Sequence, residues 1–495
     1  MAESTGWHIS KNLFLLSLSL VLQPISSAVI IGFAAWNKCA RLLARHAPVP
    51  PPRRRTVLVT GVNMSKGLCL ARLFHRKGHR VVGADCHALA PGRLSSALDS
   101  FHVLPRPGPS SSGDEGSRDP YVLGILDIVR NEAVDLWISV SDVNAAAHDA
   151  LARDLVEART EARAAQLSLK DVQVLHEKHT FIQHARSLGL STPDTQLVAS
   201  KGDITDFLAK RGGLRLEPGR RQYLLKPIGV NDQARFNMPL LPLSSEEETV
   251  RRIESLPMGG GPEFIMQEFI RGPEFCTHAL VVRGRVRAFV ACPSSELLMH
   301  YAALPGESPL SRKMLAFTER MAKAGGADWT GHVSFDFLVE ERQLDSKSGQ
   351  DDALIYPIEC NPRVHTAVVL FNDTPEMVDE YLRILEPDLD GDEELLSPRS
   401  PQRYYWVGQD LVESAIYPVY QSLVLRSLSL SQMASSLASF AHRLWGWKDG
   451  TFEAWDPWPW WWLYHVYWPM QFLAFLFRGR WHKVNVSTGK AFEAS

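Results

Sequence analysis

The chain has 495 residues, 45% of them apolar and 22% charged, with a formal net charge of −2. That length accommodates several domains, the composition is that of a folded protein, and a balance so close to neutral argues against nucleic acid as a partner. Its six cysteines include no CxxC pair, which argues against a disulfide framework or a zinc site and for reduced thiols in a reducing compartment.

Residues 12–36 carry no charge, and about 20 apolar residues are enough to cross a hydrocarbon core as a helix. Lys38, Arg41, Arg45 and Arg53–Arg55 follow, which by the positive-inside rule leaves the rest of the chain on the cytoplasmic side. The expectation is a membrane anchor. A cleaved signal peptide and a docked or buried helix are the other readings, and Pro24 with Ser17, Ser19, Ser26 and Ser27 allows a bent helix or a hairpin dipping into one leaflet.

A proline-rich linker (46–55) leads to an apolar β-run, Thr56–Thr60, ending at Gly61. Helical spacing over 66–77, a strand at Arg80–Ala84, a flexible loop over 105–119, a helix around 121–131 and a strand at Leu136–Val140 predict a small parallel αβ domain. Gly61, Gly67 and Asp85 lack the G-x-G-x-x-G spacing, and Lys66 lies outside any Walker A sequence, so a nicotinamide dinucleotide is not indicated. From about 170 the strands Gln222–Lys226, Phe264–Phe269, Thr277–Val282, Ser334–Val339 and Leu354–Glu359 alternate with helical stretches and predict an α+β domain. The expected division is an anchor and linker (1–52), an αβ domain (53–165), an α+β domain (166–395) and an aromatic-rich tail (396–495). Within that tail, Trp458–Phe477 is dense in Trp, Tyr and Phe and is followed by Arg478, Arg480 and Lys483. This is a composition suited to a membrane surface, although an aromatic core or a homodimer surface fits it too.

The segments SFDFL (334–338) and YPIECNPR (356–363) carry the strongest chemical signal. On a strand, residues two apart share a face, so Glu359 and Asn361 point together, and pairing of the segments sets Asp336 opposite them. Two carboxylates and an amide oxygen form a hard oxygen cluster of the kind Mg2+ takes together with phosphate oxygens. Arg363 and His365 continue the alternation and can meet phosphate or an anionic substrate; Arg363 balancing Glu359 is the plainer reading. Lys226, at the end of an apolar strand, needs an anionic partner, for which ATP phosphate or a structural carboxylate serves, and Lys178 sits in a helical stretch. The loop after Lys226, with Gly229 and Arg235, suits a flap over phosphates. In IMQEFIRGPEF (265–275), Gln267, Glu268, Phe269 and Ile270 end a strand, where backbone groups beside apolar side chains suit an adenine, and Glu274 can accept from ribose hydroxyls.

Lys178, Lys226, the QEFI segment with Glu274, Asp336 and ECNPR occur in the chain order of the ATP-grasp superfamily, which the sequence resembles. The resemblance implies an ATP-grasp fold preceded by a small Rossmann-like domain. It implies that Lys178 and Lys226 hold ATP phosphates, that 267–270 form the adenine hinge, that Glu274 reaches the ribose, and that Asp336, Glu359 and Asn361 bind magnesium. Stretches such as SLGLSTP (187–193), IMQEFIRGPEFCTH (265–278), IECNPRVHTA (358–367) and VNVSTGKAFE near the end resemble the mycosporine-glycine synthase group. That implies joining of an amino acid, glycine in that group, to the phosphate-activated cyclohexenone 4-deoxygadusol. Many amino-acid ligases of the superfamily carry arginine where this chain has Ser334, so charge on the transferred phosphoryl must be met elsewhere, by Arg363 or Arg235. A ligase acting on an ordinary carboxylate through an acyl phosphate, and a non-catalytic membrane-associated ATP-binding protein, are the alternatives. The expected location is a membrane with the catalytic domain facing the cytoplasm.

Overall fold

The computed structural model describes residues 5–43, 53–109, 116, 118–140, 142, 145–228, 239–256, 258, 264–294, 299–340, 353–387, 394–399 and 402–493. Arg235 and its loop lie outside the described residues.

Five parallel strands, β1 (Thr56–Thr60), β2 (Arg80–Asp85), β3 (Ser100–Val103), β4 (Leu136–Ile138) and β5 (Arg163–Ala165), form a sheet in the order β3-β2-β1-β4-β5. The central strand β1 is apolar almost throughout because helices cover both faces of the sheet. Gly61 follows β1 at φ +69°, and a Cβ there would lie 2.0 Å from the Val140 carbonyl oxygen, so the chain turns where only glycine fits.

Two antiparallel sheets follow. In the first, β6 (Thr195–Val198), β7 (Tyr223–Pro227), β8 (Leu240–Leu241) and β9 (Phe264–Glu268) lie in the order β6-β9-β7-β8. The helices Lys201–Ala209 and Glu246–Glu254 close a core around Phe207, Tyr223 and Met266. In the second, β10 (Glu274–Val282), β11 (Arg285–Pro293), β13 (Gly331–Val339) and β14 (Ile355–Asn361) lie in the order β11-β10-β13-β14, with the short β12 (Tyr301–Ala302) pairing elsewhere. Alternation divides this sheet cleanly. Phe335 and Phe337 turn to the helix Pro309–Gly325, where they pack on Phe317 at 5.2 and 5.1 Å between ring centroids. His332, Ser334 and Asp336 take the other face. That opposite side packs toward the first domain, through a core shared by Cys276, Leu280 and Val290 with Leu70, Phe74 and Val368. The predicted α/β plus α+β architecture is therefore present.

Residues 403–493 are built into the same core. Trp406, Tyr467 and Trp468 belong to it, and Arg72 pairs with Asp456 at 2.9 Å with both side chains buried. Asp456 also accepts hydrogen bonds from Ser95 and Ser96, so both charges of this buried pair are compensated. The N-terminal apolar segment is one helix, Thr5–Leu43, lying along the helix Trp468–Arg478.

Candidate functional site

The site lies where the second antiparallel sheet meets the first domain. β13 and β14 pair with Asp336 opposite Glu359 and Ser334 opposite Asn361, and the register shifts just after Asp336. On the other side β10 pairs with β13, setting Cys276 opposite Asp336. The Asn361 side-chain amide donates to Asp336 Oδ2 at 3.0 Å, and Lys178, at the start of the helix Lys178–Ser187, places its ammonium 2.9 Å from Glu359 Oε2. The predicted trio and one predicted lysine thus converge from two strands and a helix. Loss of water around Asp336, together with the charges of Glu359 and Glu274, holds its carboxyl well above the usual carboxylate range. A carboxylate strained in this way is relieved by a cation. Among the described residues no three His, Cys, Asp or Glu side chains by themselves form a metal site. The donor set is instead two carboxylates and an amide, and its crowding of negative charge suits Mg2+, which keeps water and phosphate oxygens in its shell. Ligation by Asn361 requires its amide oxygen to turn toward the ion.

Lys226 and the predicted hinge sit on the neighbouring sheet. Lys226 Nζ donates to Gln267 Oε1 at 2.6 Å, and Gln267 donates to Thr195 Oγ1 at 3.3 Å. Glu268 is buried, accepts from the Asp194 amide at 3.1 Å and pairs with Arg221 at 3.1 Å. Asp194 is held in turn by Arg211, whose hydrogen bond keeps that carboxyl below its usual range. The Glu268 side chain is therefore tied into the strand's own ionic lattice. The amides of Glu268 and Phe269 donate to the carbonyls of Asp194 and Gln222, both at 2.8 Å, and Ile270, next along, is buried. Glu274, exposed at the start of β10, accepts from Ser294 Oγ at 2.8 Å and lies near enough to raise Asp336.

Beyond β14 the charge reverses. Arg363 has Nη1 buried without a partner. Burial pulls its pKa down, while Glu359, Asp142 and Asp336 pull the other way. His365 accepts the Ala367 amide at 3.2 Å through Nδ1, capping the short helix Thr366–Phe371. Burial first, then His278, Lys66 and Arg363, lower its pKa to about 3. It is thus a neutral imidazole that shapes the turn.

Three residues that sequence reasoning did not assign complete this end. Lys66 is buried and donates to the Val364 carbonyl at 2.7 Å; burial and Arg363 lower its pKa to about 7. His278 lies under His365, whose amide donates to its Nδ1 at 3.4 Å, and it stacks on His332 at 5.7 Å. Burial lowers the His278 pKa to about 3. The alternation that placed Asp336 could have found both histidines, since His278 lies four residues past Glu274 and His332 four before Asp336 on the same faces. Nothing in the local sequence marked Lys66. A crevice of ≈420 Å³ opens at the carboxyl ends of β1, β2 and β4, lined by Gly61, Asp85, Arg106, Tyr121, Asp142 and Lys490. Such strand ends are where open parallel sheets bind ligands, and Asp142 links the crevice to Lys66 and Arg363.

No protein-family description matches the chain, and no curated protein matches it. Solved structures overlap it in part. N5-carboxyaminoimidazole synthetase from Staphylococcus aureus, complexed with ADP, is 12% identical over 72% of this chain and 82% of its own, with a TM-score of 0.47. The L-amino acid ligase from Bacillus licheniformis is 14% identical over 68% and 76%, with a TM-score of 0.43. Phosphoribosylamine–glycine ligase from Thermotoga maritima is 15% identical over 70% and 78%, with a TM-score of 0.44. These likenesses are too distant to assign a role to any residue.

Proposed function

We propose that the chain is an ATP- and magnesium-dependent carbon–nitrogen ligase of the ATP-grasp type. The observation that carries this reading is the convergence of Asp336, Glu359 and Asn361 with Lys178 at one sheet edge, in the chain order that the sequence shares with that superfamily. Asp336, Glu359 and Asn361 would hold magnesium, which supplies charge neutralisation for phosphoryl transfer. Lys178 exchanges Glu359 for a phosphate oxygen, Lys226 turns from Gln267 toward the phosphates, and the Ile270 backbone meets the adenine. Arg363, half-buried with one buried nitrogen unpartnered, meets the anionic acceptor and takes the place of the arginine that Ser334 replaces. The chain's task is mainly to position the reactants and meet the charge that develops. The small substrates lie between β13–β14 and the crevice at Asp142.

In the finer reading, an enol oxygen of a 4-deoxygadusol-type cyclohexenone takes the γ-phosphoryl group, the amine of glycine attacks the ring carbon, and phosphate leaves. A second reading, phosphorylation of an ordinary carboxylate, uses the same residues, and the half-buried Arg363 suits either acceptor. Residues 53–165 and 166–395 are the preceding and ATP-grasp domains of this scheme. The apolar N-terminal helix and the aromatic C-terminal region attach it to a membrane with the site on the cytoplasmic side. Mass spectrometry of reactions containing ATP, magnesium, the cyclohexenone and mixed amino acids tests the scheme. A glycine adduct that requires ATP supports the finer reading. ATP consumed only with other acids and amines selects the second, and no ATP-dependent adduct with any acceptor rejects both.

A further inference from the structure

We infer that the chain lies flat on one leaflet, with its N-terminal helix in the membrane plane and an acyl chain of the lipid seated in a cleft beside that helix. This rests on the membrane attachment proposed above and goes beyond it in orientation and occupant.

By length and composition the helix is a candidate span: residues Thr5–Ala40 reach a hydropathy of 2.1, and 11% of the apolar window is buried. Its contacts argue otherwise. Near its start, Lys11 donates to the Trp481 carbonyl at 2.7 Å and Asn12 accepts from the Trp481 ring nitrogen at 2.9 Å. Midway, Ser19 donates to the Tyr464 carbonyl at 2.8 Å, and Ser26 meets His465 Nε2 at 2.6 Å. Near its end, Asn37 donates to the Ala454 carbonyl. Between Lys11 and Asn37 a helix rises about 39 Å at 1.5 Å per residue, more than the hydrocarbon thickness of about 30 Å. A perpendicular span would carry Trp481 and Ala454 to opposite sides of the bilayer. Both belong to one folded region, which also holds the buried Arg72–Asp456 pair.

Most side chains that the helix buries are polar: His8, Asn12 and Ser26 turn to the protein beside the apolar Ile30, while Val21 (70% exposed) and Trp36 (72%) face outward. The helix Leu430–Gly446 is amphipathic yet buries none of its residues and leaves Trp445 94% exposed. Between the two helices lies an apolar cleft of ≈540 Å³, with Leu22, Ile25 and Val29 on one wall and Phe440 and Leu444 on the other. Leu20, Val21, Ile31 and Trp36 on the first helix and Leu430, Leu444 and Trp445 on the second are exposed, and exposed apolar patches mark membrane or partner surfaces. Arg480 bonds Thr5 at the start of the helix and Lys483 lines a pocket with Trp7 and Lys11, placing basic groups beside it to meet anionic headgroups. A lipid leaflet satisfies the apolar surface, the open cleft and the basic flank together.

The test is synthesis of the full chain, with an epitope before Met1, in the presence of sealed microsomes. The expected result is that the chain pellets with the membranes while the epitope is removed by added protease without detergent. Protection of the epitope until detergent is added overturns the in-plane orientation and leaves membrane attachment standing; recovery in the supernatant, including as a soluble dimer, overturns both. A Val21→Lys/Ile31→Lys variant, altered only at outward positions that do not line the cleft, should keep the parent melting temperature and lose membrane partitioning by roughly tenfold or more. Partitioning equal to the parent would overturn the assignment of this face.

Discussion

Two ends of one polar row on the second antiparallel sheet differ in sign and in how their charge is met. At one end Asp336, Glu359 and Glu274 crowd together, and their partners are a lysine and a neutral amide on side chains that can turn away. At the other, Lys66, His278 and His365 are fixed to backbone or to one another, Arg363 keeps one nitrogen unpartnered, and burial keeps both imidazoles neutral. In the reaction proposed above, the acidic end is the one that exchanges partners. A carboxyl held above its usual range, as that of Asp336 is, gains by receiving a cation. A buried cationic end gains by receiving an anion and needs no exchange of its own bonds.

The sharpest way to break this contrast is at the acidic end. Asp336→Asn should lower kcat/KM about 10³-fold or more, because it removes charge that the phosphoryl transfer requires. The same change should leave the melting temperature unchanged or raised, since it removes a desolvated charge. Steady-state kinetics and calorimetry check the pair, and an active variant would remove the metal assignment. At the basic end, Arg363→Lys should cost about 10²-fold in kcat/KM with little change in the magnesium requirement. A large rise in the magnesium needed would instead make Arg363 a mere balance for Glu359.

The pH dependences sharpen the comparison. His278 takes up a proton near pH 6.5 when unfolded but only at about 3 when folded. The unfolded state therefore binds more protons between these values, and stability falls as the pH drops through that window. At pH 5.5 the loss from this one group is about 1.4 kcal/mol, and a His278→Gln variant should lack it in denaturant titrations at pH 7.5 and 5.5. Lys66 has the same sign at higher pH. Its folded pKa is about 7 against 10.5 unfolded, so its burial costs most below pH 7 and the cost eases as pH rises toward 10.5. Lys66→Met should melt higher than the parent at pH 6.5, by a margin that shrinks at pH 9.5.

The acidic end was legible in the sequence because strand alternation alone puts Glu359 and Asn361 together and Asp336 across from them, as found. Much of the fold followed from the same periodicity: apolar runs gave β1, β2, β4, β9 and β14 to within a residue or two. The basic end was less legible. Lys66 meets Val364 across 298 residues, and His365 spends a ring nitrogen on a helix cap that its spacing from Glu359 does not announce. The docking of the N-terminal helix was hidden for another reason. Its hydrogen bonds to the rest of the chain are made by residues such as Lys11, Asn12, Ser19, Ser26 and Asn37, the polar minority of a segment whose average is apolar. Hydropathy reports that average and is blind to which face turns inward.

Whether phosphate is placed on the acceptor's own oxygen before the amine attacks is decided with 18O. An acceptor labelled at its enol or carboxylate oxygen, incubated with the full chain, ATP, magnesium and the amine, should deliver one labelled oxygen to inorganic phosphate for each product molecule formed. Product released with unlabelled phosphate would contradict the account, because the carbon–nitrogen bond would then have formed without passing through a phosphorylated acceptor.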